Sequence, residues 1–502
     1  MVRRILDLHE MKFQRLLEIL PGSLAWGIIF FPTIGGFFIP EIVAYGVILF
    51  LAYWFFKSFQ GAILGIRGYF MLKKWEKTNF YELWKKNKNK NSLFWEKIRH
   101  VVIIPNYNEA EEKLSATLAS LAAQRQINPK SMLVFLAMEE RALDAHKKAK
   151  NLITGFNGKF GGLWASFHPD GIVGEMRGKA SNESWAARQA KKTLDRLRIP
   201  LGNVTVTSCD ADAKFHPLYF AGLTYAFAIN PARYLRFWQS PIFWHNNLDR
   251  VPFPIKIVGV MGHIHHLANL QEPTRLIFNY SCYSLSFTLL SEVGYWHTNI
   301  IPEDWHLFLQ AFFGKRGQVE VEPLFLPTSI DAAESKSWLG SLLNRYNQCK
   351  RHAWGATDIA YAVKEAIRHP EISLLSKTLR IYKLIETHLI WSTNWFILTL
   401  GATLPVVINP VFQRTALGYN LPKMADTILT LCLIALVFMV VIDLALRPRQ
   451  MRPQTLIATI GEVLQWVTLP ISTLFMSVLP GLDAQTRLML GHRLEYRATE
   501  KI

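Results

Sequence analysis

Long apolar stretches lie toward both ends of the chain, and between them runs a region in which apolar and polar positions interleave at short period. Residues 20–39 and 42–66 are apolar and aromatic-rich. At about 1.5 Å per residue, each is long enough to cross a hydrocarbon layer of roughly 30 Å. Pro40-Glu41 is the tight join, so the pattern predicts an entry into the membrane and a return. A charged amphipathic stretch precedes the first run without a small-residue cleavage site, which favours retained anchors over a removable signal. From residue 100 to about 380, short β-favouring runs (101–104, 132–138, 204–207 and 319–321) alternate with helical stretches, as in a mixed α/β domain. Residues 389–408 and 424–446 read as two further spans. Pro470 interrupts a last apolar segment, 455–479, which suits a broken, re-entrant or interfacial helix and leaves the amphipathic tail in the cytosol.

The expected organisation is therefore an anchor region over 1–66, a basic linker over 67–99, a mixed α/β domain over 100–380, a membrane region over 381–480 and a tail over 481–502. Charge supports it. The 502 residues are half hydrophobic yet carry a formal net charge of +18, and the mean hydropathy is +0.13, an unusual pairing for a purely soluble protein. Lysines 73, 74, 77, 85, 86, 88, 90 and 97 follow the second apolar run directly. Cytoplasmic loops carry such charge, and anionic headgroups attract it. Three arginines between 447 and 453 fit the same side. These features predict a multi-pass integral membrane protein with its domain on the cytoplasmic face, the plasma or inner membrane if bacterial. No recognition-module pattern accompanies the basic excess, so nucleic acid is not expected as a partner. The four cysteines lie far apart and without metal-ligand spacing, which argues against disulfides and zinc.

Two stretches carry the candidate chemistry. The β run over 204–207 ends in Asp210-Ala211-Asp212, two carboxylates one residue apart. Such oxygens suit Mg²⁺ or Mn²⁺ beside phosphates, although a solvated turn is the commoner origin of an isolated pair. Earlier, the run over 101–104 passes through Pro105-Asn106-Tyr107-Asn108-Glu109 into a helical stretch over 110–124. Ligands commonly sit where a strand's carboxyl end meets a helix N-terminus.

That second stretch, Val-Val-Ile-Ile-Pro-Asn-Tyr-Asn-Glu, resembles the opening strand and donor loop of family 2 glycosyltransferases. Four more segments follow in the family's order. Gly178-Lys179-Ala180-Ser181-Asn182 resembles the element whose lysine approaches the nucleotide diphosphate. Asp210-Ala211-Asp212 resembles the metal pair, and Glu303-Asp304 after Ile301-Pro302 the acidic pair with the catalytic base. Gln348-Cys349-Lys350-Arg351-His352 resembles the Gln-x-x-Arg-Trp helix of the membrane-embedded, cellulose-synthase-like group. The chain departs from the family twice. Leu136-Ala137-Met138-Glu139-Glu140 offers glutamates where paired aspartates hold the base, so Glu139 takes that place with Glu140 as its alternative. His352 stands where a tryptophan is usual, with Trp354 two positions on.

The resemblance implies a GT-A-like (Rossmann-like) mixed-sheet domain flanked by transmembrane helices. It also implies transfer, with inversion, from a nucleotide-diphospho-sugar, UDP-linked by preference, to a saccharide or lipid-linked acceptor. Donor contacts fall to Pro105, Tyr107, Glu109, Glu139, Lys179 and Asp210, and Mg²⁺ or Mn²⁺ to Asp210 and Asp212. Asp304, with Glu303, is the base, where the helix predicted over 305–313 favours the ionised form. Arg351, with Gln348, stabilises the leaving diphosphate. Trp238, Trp244 and Trp354 are acceptor candidates by their aromatic faces, although core packing is the ordinary use of such rings. A processive synthase and a non-catalytic membrane scaffold or export component are the competing readings, and partner subunits are not specified. His263, His265 and His266 suggest zinc, but apolar residues recur around them at helical spacing, so the reading is a helix with histidines on its polar side.

Overall fold

In the computed structural model, residues 10–274, 276–494 and 499 are described; the first nine residues and most of the end of the tail lie outside them. The central region folds around a seven-stranded mixed sheet. Its strands are β1 (Arg99–Asn106), β2 (Met132–Glu139), β3 (Gly162–His168), β4 (Val204–Ser208), β6 (Arg236–Gln239), β8 (Tyr283–Ser286) and β9 (Glu320–Pro323), in the order β3-β2-β1-β4-β8-β6-β9. The first four are parallel, with helical crossovers, and β8 runs antiparallel to both β4 and β6. β2 is buried along its whole length, as expected of a parallel strand covered on both faces. The short strands β5 (Lys214–Phe215), β7 (Ile242–Phe243) and β10 (Thr328–Ser329) form a second sheet of order β5-β10-β7.

One register detail positions the site. Asn106 pairs with Met138, and Ile103 with Ser208. The carboxyl ends of β1, β2 and β4 therefore reach one edge together, which is where crossover helices begin and ligands bind in open α/β sheets. The expected mixed α/β architecture is present, and long apolar helices flank it.

Four helices among the described residues are long and apolar enough to cross a membrane: Glu10–Phe38, Pro40–Trp75, Ala416–Leu446 and Leu456–Leu490. The stretch expected to span at 389–408 is divided. Helix Leu374–Leu400 begins earlier and stops before Gly401, and a separate short helix covers Leu404–Ile408. Pro405 stands in the first turn of that short helix and Pro410 starts the next, and a proline cannot donate the N–H that would continue a helix through it. Side-chain contacts group the helices in a different way. Val43, Ala44, Val47 and Leu51 of Pro40–Trp75 share a cluster with Leu421 and Ala425 of Ala416–Leu446, and Leu398 of Leu374–Leu400 packs against it. Asn409 donates to Gly36 O at 3.3 Å, which brings the end of Glu10–Phe38 to the same place. Leu456–Leu490 touches the sheet domain's helices near both ends: Glu462 pairs with Lys256 and Asp483 with Lys350.

Candidate active site

The edge where β1 and β4 end carries a network of acids around one lysine. Helix Lys179–Arg196 starts at Lys179, whose Nζ lies 2.9 Å from Asp210 Oδ1 and 2.9 Å from Glu303 Oε1. Helix Glu303–Gly314 brings Glu303 and Asp304 in its first turn, where unpaired N–H groups favour carboxylates. Burial disfavours the lysine's charge, but Asp210, Glu303 and Glu183 together raise its pKa well above the ordinary value. Asp304 is the opposite case. Burial and the neighbouring Glu303 push its pKa up to about 7, against the pull of Lys179 and of the N–H groups of Trp305 and Ser281.

Ser281 ties the two halves together. Its Oγ donates to Asp210 Oδ2 at 2.6 Å and its backbone N–H to Asp304 Oδ2 at 3.1 Å. It does so from a left-handed backbone, φ 55°, which a residue other than glycine holds only at a cost of about 1–3 kcal/mol. Asn279 donates to the Asp304 carbonyl at 2.9 Å, and Trp305 N–H to Asp304 Oδ1 at 2.8 Å. Asp212 is buried, and its Oδ2 accepts from the Asp331 N–H at 2.8 Å. Asp331 is itself held by Lys113. The loop bearing both aspartates is further fastened by Thr117, which donates to Ala211 O at 2.8 Å.

The loop after β1 is organised by its own glutamate. Glu109 Oε2 accepts from Asn106 Nδ2 and from the Tyr107 N–H, both at 2.9 Å, and Lys148 donates to the Glu109 carbonyl at 2.7 Å. Glu109 thus shapes the loop that Pro105 opens. The Arg141 guanidinium lies 4.1 Å from the Tyr107 ring centroid and donates through Nε to Glu139 Oε2 at 3.2 Å. Glu139, at the end of β2, faces His168 at the end of β3, with 3.6 Å between Oε2 and Nδ1. Burial works against the His168 charge, but Glu139 and Glu175 raise its pKa nonetheless.

Helix Trp338–Ala353 carries Gln348 and Arg351. Gln348 accepts from Arg345 Nη1 at 2.9 Å, and Arg351 Nη2 donates to Thr499 Oγ1 at 3.2 Å, so that arginine faces the tail. The aromatic candidates separate. Trp238 is fully buried, edge-on to Phe227 at 5.8 Å, because β6 turns it into the sheet core. Trp354 is buried as well. Neither ring offers a face to an acceptor, so both belong to core packing. Trp244 is only half-buried, and it lies between Arg345 and the helix Phe253–Asn269.

The three histidines do lie on a helix, Phe253–Asn269, but they do not share a polar side. His263 is buried and accepts the Trp244 N–H; His266 lies 4.2 Å from the Tyr280 ring; His265 is exposed and meets Asn269. Their neighbours explain this, since the helix is covered by the domain on one side and by Pro40–Trp75 on the other. His263 also comes within 4.8 Å of His245 and Asp443 through potential ligand atoms. Asp443 is already matched there by Arg447 at 2.6 Å, so this group reads as a polar junction between domain and helix.

Neither a protein-family model nor a curated protein matches the chain. Among solved structures, a mannosyltransferase from Pyrobaculum calidifontis, in complex with GDP-Man and Mn²⁺, aligns over 81% of this chain and 99% of its own at 15% identity, with a TM-score of 0.46. S. aureus TarS 1-349 aligns over 66% of this chain and 90% of its own at 13% identity and a TM-score of 0.32. GalNAc-T7 with UDP, GalNAc and Mn²⁺ aligns over 58% of each chain at 11% identity and a TM-score of 0.35.

Proposed function

We propose that the chain is a membrane-bound glycosyltransferase that moves a sugar, with inversion, from a nucleotide-diphospho-sugar to a saccharide or lipid-linked acceptor. The observation that carries this reading is the cluster of Lys179, Asp210, Glu303 and Asp304, joined through Ser281 at the carboxyl edge of the parallel strands. A lysine held charged among acids, a pair of hard oxygen ligands and a separate carboxylate poised near neutrality suit displacement of a diphosphate.

Asp210 and Asp212 present only oxygens, and the Asp210 side chain remains 22% exposed, so the donor set fits Mg²⁺ or Mn²⁺. When bound, such a cation supplies positive charge opposite the leaving diphosphate. Lys179 adds a fixed ammonium whose charge the surrounding acids secure. Asp304 takes the proton of the attacking hydroxyl, and its carboxylate is oriented by two N–H groups. A single base without a second nucleophile fits one displacement, hence inversion. Glu139 with Arg141 and Tyr107 line the neighbouring strand ends, a suitable place for the nucleotide. The lysine-rich linker and the apolar helices support attachment to a membrane with the domain on its cytoplasmic face.

The purified protein in lipid vesicles, offered a panel of nucleotide sugars, is expected to release nucleoside diphosphate from one class of donor. Excess chelator is expected to stop that release. Undiminished release under chelator removes the metal role of Asp210 and Asp212, and no release from any donor favours a scaffold.

A further inference from the structure

Arg345 keeps only 5% of its surface exposed and has no acid beside it among the described residues. Its guanidinium lies 4.7 Å from the Trp244 ring centroid, and Nη1 donates to Gln348 at 2.9 Å. Its Nε is enclosed and donates to nothing. A guanidinium cannot shed its charge at any ordinary pH, so burial leaves a permanent cation compensated only by an aromatic face and one neutral amide. Buried charges are normally paired. The neighbouring cations are already matched: Lys350 with Asp483 at 3.1 Å, and Arg447 with Asp443 at 2.6 Å and Glu462 at 2.7 Å. Arg345 is left in excess, with its Nε–Nη2 edge unused. That edge is the planar pair of donors that suits two oxygens of a phosphate.

The surroundings say which phosphate. Among the described residues no ion pair or hydrogen bond joins Arg345 to Asp210, Glu303 or Asp304, the acids near Lys179; its ring partner Trp244 lies two residues before Asn246, which donates to the Asp212 carbonyl at 2.8 Å, so Arg345 borders the metal pair without touching the acids of the diphosphate locus. Trp244 and Leu342, from the same helix as Arg345, pack instead with Trp466, Leu469 and Met476 of the broken apolar segment. Earlier on the same helix, Trp338, Leu339 and Leu343 are 56%, 61% and 58% exposed, an uncovered apolar face. We propose that Arg345, backed by Trp244, is the anion subsite for the phosphate group of a membrane-borne acceptor, whose apolar tail runs along the Trp466–Met476 cluster. This rests on the transferase reading above and gives its acceptor a chemical class.

The test is equilibrium binding to the full-length protein in nanodiscs, with farnesyl phosphate, farnesol, inorganic phosphate, UDP and GDP as probes. Wild-type protein is expected to bind farnesyl phosphate about ten-fold or more tighter than farnesol, as charge-assisted bidentate bonds would give. Arg345→Gln should bring farnesyl phosphate to the level of farnesol, and Arg345→Lys should fall between. UDP or GDP binding should change less than about two-fold in both variants. Equal affinity for phosphate and alcohol overturns the proposal, as does inorganic phosphate binding as tightly as farnesyl phosphate. Selective loss of UDP or GDP affinity in Arg345→Gln overturns it too, by assigning the residue to the donor. If Arg345→Gln fails to fold, the wild-type comparison and Arg345→Lys decide. Farnesyl phosphate binding without turnover of any donor would keep the subsite while removing the transferase reading, so the two failures are distinguishable.

Discussion

Asp304 is held where burial and Glu303 keep its pKa near 7, and this sets the sign of the pH response. A base must be ionised to accept a proton, so kcat/KM is expected to fall toward acid with a one-proton limb inflecting at or somewhat below 7, because a bound cation favours the ionised form. A profile flat down to pH 5 would contradict the assignment. Ser281 makes a separable prediction. Ser281→Ala removes the bond to Asp210 but keeps the backbone N–H to Asp304. Affinity for the activating metal should drop about 10–100-fold, read as a shifted Mn²⁺ titration, with the acid limb of the pH profile unmoved. Lys179, Asp210 and Asp304 were legible in the sequence because each stands in a short motif at an element's end. Ser281 was not, since its role comes from a left-handed backbone in a loop without periodicity. Glu183 was closer to legible: it follows Lys179 by one helical turn, and burial raises its pKa to about 8. Trp238 shows the reverse error, since an aromatic run signals area to bury before it signals a binding face.

Among the elements, β1 and β2 were readable as apolar runs, because strands covered on both faces need continuous hydrophobicity, and β4 as an alternation of β-branched valine and threonine. β3, β6 and β8 were not. β3 is half-buried over most of its length, β6 is a short run, and Ser284 and Ser286 interrupt β8 although all four of its residues are buried. The Ser284 hydroxyl meets Thr207 at 2.7 Å and Tyr219 at 3.0 Å, whereas that of Ser286 is buried without a hydrogen-bond partner among the described residues. Helix packing also depends on a glycine that composition cannot rank. A Cβ on Gly68 would lie 2.6 Å from Leu267 Cγ and 3.0 Å from the Leu267 carbonyl oxygen, where Pro40–Trp75 crosses Phe253–Asn269. Gly68→Leu should therefore destabilise the protein by about 1–3 kcal/mol, visible as a lower Tm in detergent. An unchanged Tm would mean that the two helices do not meet there.

At the scale of the whole molecule, composition and contacts disagree over which helices cross a bilayer. Leu374–Leu400 carries Lys377, Arg380, Lys383 and Glu386 in its first half, which spoils its apolar average, yet its far end packs at the cluster opposite the domain. Leu456–Leu490 is apolar enough to span, but Glu462 and Asp483 hold it to the domain near both ends. We infer two helices crossing before the sheet domain, two after it, and a last segment lying along the interface with the tail on the domain's side. Cysteine at Tyr419 should then be labelled by an impermeant reagent outside intact cells, and cysteines at Asn87 and Arg493 should not. Labelling at Arg493 would mean that the last segment crosses.

The proposed transfer depends on Asp304 acting as its base, with the metal pair and Lys179 preparing the leaving group. The most direct test compares nucleoside diphosphate release by wild type and Asp304→Asn, with donor affinity measured on the same preparations. The account predicts a loss of about 10²–10⁴-fold in turnover with donor binding largely retained. Full turnover by Asp304→Asn would contradict it.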